Sequence, residues 1–260
     1  MPEGDTVHLV ARNLRAALAG QVLTGSDLRV PALATVNLAG QTVVDVTARG
    51  KHLLIRVSGG STLHTHLRME GAWHLHRPGT RWSGGRGHEV RVVLQTAPWT
   101  AVGYRLGVVE LLPTAQEHLA VGHLGPDLLC DDFDAGQAVT RLLADPDRAV
   151  GEALADQRNL AGIGNLYKAE LLFLSGISPW LPVAMVPDVP AVVWRARRLM
   201  RANMARAAQV TTGDSRPGRT TWVYRRQGRP CRRCGTAIRA ADQGPAPATR
   251  VTYWCPSCQP

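Results

Sequence analysis

The chain has 260 residues, 45% of them hydrophobic, and a formal net charge of +10. That length can bury a real core in one large domain or two to three small ones, and the apolar content excludes a disordered chain. No apolar run approaches the roughly 20 residues needed to span a bilayer. The charge is uneven: residues 181–260 hold 14 arginines against three aspartates, whereas residues 1–180 hold 16 basic and 17 acidic residues. A basic final third beside a neutral remainder fits a surface for a polyanion.

The first residues, Met1-Pro2-Glu3-Gly4-Asp5-Thr6, carry chemistry of their own. Trimming of Met1 leaves Pro2 as a free secondary amine. An α-amino group titrates near roughly 8, well below a lysine side chain, so part of it is neutral at cellular pH and able to attack a sugar aldehyde carbon. Glu3 can move the protons of that step. Many chains begin Met-Pro and do nothing with it, so the rest of the sequence has to support this reading. No secretory h-region follows, and the expectation is a cytosolic monomer.

Val7, Val10, Ala11, Leu14, Ala17 and Leu18 predict a helix over 7–19, capped by Asp5 or Thr6 and ended by Gly20. From about 21 to 115 the period changes. Thr42–Thr47, His52–Val57, Ser61–Leu67, Ala72–His76 and Glu89–Thr96 read as strands, with a tight turn at Gly59-Gly60 and a loop over Ser83–Gly87. This is a β-sandwich or barrel-like domain with one leading helix. Lys51 is one of only two lysines, with Lys168, in a chain that otherwise uses arginine. Lysine carries a transferable proton where arginine does not. His64, His66, His74 and His76 share strand faces in pairs; polar positions on half-buried strands account for them better than a metal site does, and a place for His64 or His66 beside a nucleic-acid groove stays open.

Residues 116–130 read as a linker, with Cys130 a buried thiol. Helices are predicted over Ala135–Ala144, Val150–Ala155 and Leu166–Ser175. The last follows the Gly-rich turn Asn159–Asn165, with Asn165 as its N-cap. A helix–turn–helix of this kind offers backbone N–H groups and an Asn side chain to a phosphate, although taken alone the pattern fits an ordinary helical hairpin better. Pro190–Val210 is a long amphipathic helix, and 211–220 a polar, mobile loop. Cys231-x2-Cys234 and Cys255-x2-Cys258, 20 residues apart, have the spacing of a four-thiolate structural zinc site, whose closed shell holds a small hairpin and does no chemistry.

Together these features resemble the formamidopyrimidine-DNA glycosylase/endonuclease VIII family of base-excision repair enzymes. The resemblance covers the whole chain and rests on Met1–Asp5, Arg49-Gly50-Lys51-His52-Leu53, Asn159–Glu170 with its Asn-x-Tyr-x-x-Glu core, and the four-cysteine segment ending Tyr253-Trp254-Cys255-Pro256-Ser257-Cys258-Gln259. The start Pro-Glu-Gly-Asp-Thr-Val looks most like actinobacterial endonuclease VIII. The resemblance implies an α+β fold: an N-terminal β-sandwich over 1–118, a helix-two-turn-helix domain over 119–222 and a zinc finger over 223–260. It implies a bifunctional glycosylase/lyase acting on damaged double- or single-stranded DNA with one structural zinc. Pro2 would attack C1′ of the damaged nucleoside, Glu3 protonate the sugar ring oxygen, and Lys51 bind a phosphate beside the lesion and help proton transfer. Asn165 and Arg250 would hold phosphate, and Arg68-Met69-Glu70 would fill the hole left by the flipped base. Family members often carry Gln at the position of Arg68 and an aromatic hydroxyl near Glu70, so Glu70 departs from the pattern. Residues 211–222 are short for the lesion-covering loop of the 8-oxoguanine enzymes, which favours oxidised pyrimidines. The alternatives are an 8-oxoguanine/formamidopyrimidine glycosylase and a non-catalytic zinc-ribbon DNA-binding protein.

Overall fold

A computed structural model describes residues 2–246 and 249–260; Met1, whose trimming the sequence calls for, lies outside the described residues. The chain divides into two compact units, residues 1–123 and 124–260.

The first unit opens with helix α1 (Gly4–Leu18). Its apolar stripe Val7, Ala11, Leu14 and Leu18 is buried, as the i, i+3/i+4 spacing requires. The helix starts three residues earlier than its apolar pattern does. Asp5 and Thr6 lie inside the first turn, and Glu3 holds the N-cap position that was expected of them. Eight strands follow, β1 (Gly25–Leu28), β2 (Val43–Arg49), β3 (His52–Val57), β4 (Ser61–His66), β5 (Ala72–His76), β6 (Val90–Gln95), β7 (Thr100–Tyr104) and β8 (Val108–Pro113). They form two four-stranded sheets, β2-β3-β4-β8 and β1-β6-β7-β5, antiparallel throughout. Leu53, Ile55 and Val57 alternate inward and join Leu63, Val92, Leu94 and the α1 stripe in one core. The β-sandwich with a leading helix is the architecture expected.

Three strands were not foreseen. β1 buries only Leu28 and is held by its backbone ladder to β6, so it has no apolar pattern to read. β7 is buried at every position, which leaves no alternation, and β8 stands at the sheet edge. Part of the expected linker is a short helix, α2 (Glu117–Val121), whose Glu117 takes a bidentate pair of hydrogen bonds from Arg56 at 2.7 and 2.6 Å.

The second unit packs α3 (Ala135–Leu143), α4 (Val150–Ala155), α5 (Asn165–Ser175) and α6 (Val189–Arg201) around one core that also takes in Cys231, Ile238 and Cys255. α5 is buried from Leu166 to Phe173, including Lys168 and Glu170, and is the central rod of the unit. α6 ends nine residues short of the expected Val210. The cause is Asn203, whose amide nitrogen donates to the carbonyls of Leu199 and Val210 at 2.9 and 3.0 Å while its oxygen accepts from Val210 N–H at 2.8 Å. That side chain satisfies a terminal helix carbonyl and turns the chain back. The antiparallel hairpin β9 (Arg239–Gln243) and β10 (Arg250–Trp254) completes the unit. Cys130 is only half-buried.

Candidate active site and nucleic-acid interface

In the first unit Pro2 stands just outside α1 and is half-buried, while the Glu3 side chain is fully buried. The Glu3 carbonyl receives Val7 N–H at 3.1 Å, starting the helix. Its carboxyl makes no helix-capping hydrogen bond. A carboxylate at this place lies in the favourable field of the helix N-terminus.

Lys51 is the second residue of the two-residue turn joining β2 to β3, between the register partners Arg49 and His52. The turn needs Gly50, whose φ is +58°. Lys51 is half-buried; burial first, then the Arg68 guanidinium and the Lys51 ammonium, lower His66 to about 4. The expected hole-filling residues form an exposed turn between β4 and β5. Arg68 has φ +52°, and its N–H donates to His66 Nδ1 at 2.9 Å. Met69 is 60% exposed, an unusual posture for a large apolar side chain that has a core nearby. Glu70 lends its backbone, its carbonyl accepting from Arg105 Nε at 3.3 Å.

Three histidines gather on the outer face of the β2-β3-β4-β8 sheet. His52 Nδ1 lies 2.8 Å from His64 Nε2, and His64 Nδ1 lies 3.1 Å from a Glu110 carboxylate oxygen. The His66 ring stands edge-on to His52 with centroids 5.0 Å apart. Burial, then the neighbouring His66, His64, His123 and Arg68, lower His52 to about 3. His74 and His76 belong to the other sheet and stack on each other. Among the described residues none of these strand histidines joins a group able to hold a metal ion.

In the second unit the turn before α5 contains Gly162 at φ +101°. Gly164, not Asn165, takes the N-cap position. Asn165 is the first helical residue, and its side-chain amide donates to the carbonyl of Val251 in β10 at 2.7 Å. That bond sets Asn165 beside exposed Arg250, the preceding residue of the same strand. The bond thus ties Asn165 to the residue next to Arg250, 86 positions further along the sequence. Two further ties join helix to hairpin. Buried Lys168 donates from Nζ to Thr252 Oγ1 at 2.6 Å, and Thr252 donates in turn to Gln243 Oε1 at 2.9 Å. Glu170, fully buried, accepts from the backbone N–H groups of Trp222, Val223 and Tyr224 at 2.7, 2.8 and 2.8 Å and from the Thr211 hydroxyl. The polar loop expected to be mobile is thus pinned at both ends, with Thr211 N–H also donating to Thr220 O at 2.8 Å. The Asn-x-Tyr-x-x-Glu spacing contains this anchor, yet nothing in it says which segment Glu170 would hold.

The thiols of Cys231, Cys234, Cys255 and Cys258 lie within 4.8 Å of one another. Two of the separations, 4.0 and 3.5 Å, bracket the roughly 3.8 Å edge of a sulfur tetrahedron with metal–sulfur bonds near 2.3 Å. The cluster can hold a metal ion.

The Formamidopyrimidine-DNA glycosylase N-terminal domain family matches residues 1–105, and the Formamidopyrimidine-DNA glycosylase H2TH domain family matches 124–212. The chain belongs to the formamidopyrimidine-DNA glycosylase family. Within it, the chain is 59% identical over 261 residues to "Probable endonuclease 8 2" of Streptomyces coelicolor, covering all of this chain and 94% of that one. It is 49% identical over 259 residues to "DNA-(apurinic or apyrimidinic site) lyase Nei2" of Mycolicibacterium smegmatis, covering 100% and 99%. The fold of the family also holds: a complex between the Lactococcus lactis Fpg and an abasic site containing DNA superposes with a TM-score of 0.80 at 24% identity over 99% of each chain. The family's endonuclease VIII side, in its actinobacterial form, is where this sequence sits.

Proposed function

We propose that the protein is a bifunctional DNA glycosylase and abasic-site lyase of base-excision repair. The observation that carries the reading is the chain's head: a secondary amine at Pro2 directly followed by a fully buried carboxyl at Glu3, at the start of α1. Membership of the family and relatives named as endonuclease 8 and as an abasic-site lyase support it.

Pro2 nitrogen attacks C1′ of the damaged nucleoside while Glu3 protonates the deoxyribose ring oxygen. The glycosidic bond breaks and a Schiff base forms. Lys51 binds a phosphate beside the lesion and assists proton transfer. Loss of the C2′ proton expels the 3′ phosphate, and a second elimination expels the 5′ phosphate, so the strand opens on both sides of the sugar. Asn165 and Arg250 grip a backbone phosphate, a contact that positions without reading sequence. Arg68, Met69 and Glu70 fill the space of the flipped nucleotide, Met69 as the wedge and Arg68 as a donor to the orphaned base. Zinc suits the four cysteines. Cys231, Cys234, Cys255 and Cys258 would hold it with four thiolates, and it would then brace the β9-β10 hairpin and leave the reaction to other residues. We place the protein in the cytoplasm with the chromosome.

The preferred lesions are oxidised pyrimidines, because residues 211–222, which stand where the 8-oxoguanine enzymes carry their lesion-covering loop, are short and are closed by the Glu170 anchor. Cutting of a duplex with one abasic site tests the reaction class: β,δ-elimination leaves phosphate on both sides of the gap. Parallel assays on thymine glycol and 8-oxoguanine duplexes test the lesion choice.

A further inference from the structure

The sheet face beside Lys51 carries a hydrogen-bonded chain that the mechanism above does not use. It runs from Glu110 on β8 through His64 on β4 to His52, the first residue of β3 and the next residue after Lys51. The strand register places these residues together. His52 faces His66, and His64, two residues before His66, faces Glu110, so all project from one face of the sheet.

With both rings neutral, the three groups set where the protons lie. The Glu110 carboxylate is an acceptor only, so His64 Nδ1 carries the hydrogen between them. His64 is 4% exposed, and a neutral ring there leaves Nε2 bare. His52 Nδ1, 2.8 Å away, must then be the donor, and His52 Nε2 is left with its lone pair free of hydrogen. A carboxylate two bonds away thus selects the tautomer of a ring at the end of the chain, the arrangement by which a buried acid orients the base of a hydrolase triad.

We propose that His52 is the base that accepts the C2′ proton in the elimination step, with His64 and Glu110 as the positioning residues that hold it in the Nε2-acceptor tautomer. The proposal rests on the Schiff-base reading given above. In the step, the C2′–H bond breaks and its electron pair forms C1′=C2′, neutralising the iminium nitrogen. The enamine so formed expels the 3′ phosphate. The proton goes to His52 Nε2, whose imidazolium is stabilised through Nδ1–H by His64 and Glu110, and leaves from Nε2 to solvent.

The surroundings keep His52 neutral in the free enzyme. The groups facing it are Arg49 and Lys51 from the β2 turn, His64 and His66 from β4, Arg68 after β4, Glu110 from β8 and His123 after α2. Burial and the cationic neighbours hold its protonated form below about 3, so the free enzyme presents a neutral ring throughout pH 5–8. The phosphates of bound DNA act the other way and favour proton uptake.

The test uses the full chain and a duplex with one abasic site, in single turnover, with wild type, Glu110→Gln and His52→Ala. Glu110→Gln keeps the shape of a well-exposed side chain, but its amide can donate to His64 Nδ1 and so reverse both ring tautomers. Both variants should form the borohydride-trapped complex at the wild-type rate. Strand scission should slow about 100-fold in His52→Ala, within the usual span of a general base, and about tenfold in Glu110→Gln. Added imidazole should restore scission in His52→Ala, and nitrogen-15 histidine spectra should show His52 protonated at Nδ1 in wild type and at Nε2 in Glu110→Gln. A purely structural role would show neither rescue nor tautomer reversal. Scission by His52→Ala at the wild-type rate, trapping slowed in step with scission, or a wild-type His52 protonated at Nε2 each overturns the assignment. A wild type that forms no trapped complex removes the Schiff-base reading itself, and this inference with it.

Discussion

Asn165 donates its side-chain amide to the backbone carbonyl of Val251 at 2.7 Å. The bond spans from the Gly-rich turn to the cysteine hairpin and makes one polar edge of two segments, with Arg250 exposed next to the acceptor. Asn165 locks the hairpin, and under the proposed function it would also meet a phosphate.

That double duty separates the two phosphate ligands experimentally. Arg250→Ala should weaken binding to every lesion duplex alike and lower the salt dependence of log K by about 0.9, the contribution of one neutralised phosphate. Asn165→Ala should weaken binding alike across lesions too, and should also lower the thermal stability of the hairpin by about 1 kcal/mol, the ordinary worth of a hydrogen bond. Binding isotherms at several salt concentrations, with calorimetry of the free proteins, check both. A loss confined to one lesion would remove the pair from phosphate binding.

The metal prediction follows from the four thiols. We expect one zinc per chain by elemental analysis, and its loss on chelation to abolish DNA binding while the β-rich circular dichroism persists. Cys255→Ser should do the same, since Cys255 is fully buried in the core of the second unit. Full DNA binding by the metal-free protein would contradict a structural role for the site.

Met69→Ala should slow excision from duplex DNA far more than cutting at an abasic site in single strands. Unstacking a paired base costs a few kcal/mol, and the wedge offsets part of it; a single strand has no such hole to fill. Equal slowing on the two substrates would take Met69 out of that role.

The histidine cluster gives a pH dependence of stability with a definite sign. His52 and His66 are lowered to about 3 and about 4 in the folded chain, against roughly 6.5 when unfolded. Between those values the unfolded chain binds more protons, so stability is full above about pH 6.5 and falls as the pH drops toward 4. His52→Gln should flatten the Tm-against-pH curve over that window. A curve as steep as the wild-type one would show that His52 charges freely in the folded state.

Much of this was legible in the sequence because the signals were local. The cysteine spacing, the apolar stripe of α1 and the alternation of β3 each depend on a few neighbouring residues. Asn165 was singled out as the helix cap, but Gly164 takes that position and the Asn165 amide donates instead to Val251, a residue no local rule connects to it. The end of α6 was missed for a similar reason: Asn203 looks like one more helical residue until its bonds to Val210 are seen. The chain Glu110–His64–His52 was invisible although all three residues were in view, because it requires the register of β3, β4 and β8, and β8 itself had not been recognised as a strand. Glu170 stood inside a motif, but the backbone amides it holds lie about 50 positions further on.

The central claim is that Pro2 is the nucleophile, and reduction of its adduct tests it most directly. A Schiff base on the Pro2 nitrogen is an iminium, which borohydride converts to a stable amine. Wild-type protein and abasic-site DNA should give a covalent complex under borohydride, with the DNA on residue 2 in a peptide map. Met1 must be absent from the reacting species, since an acylated proline nitrogen cannot attack, and a protein carrying an uncleaved N-terminal extension should give no complex. Glu3→Gln should lose base excision while keeping some trapping at sites already abasic. A crosslink mapped to Lys51, or trapping that survives the N-terminal extension, would contradict the claim.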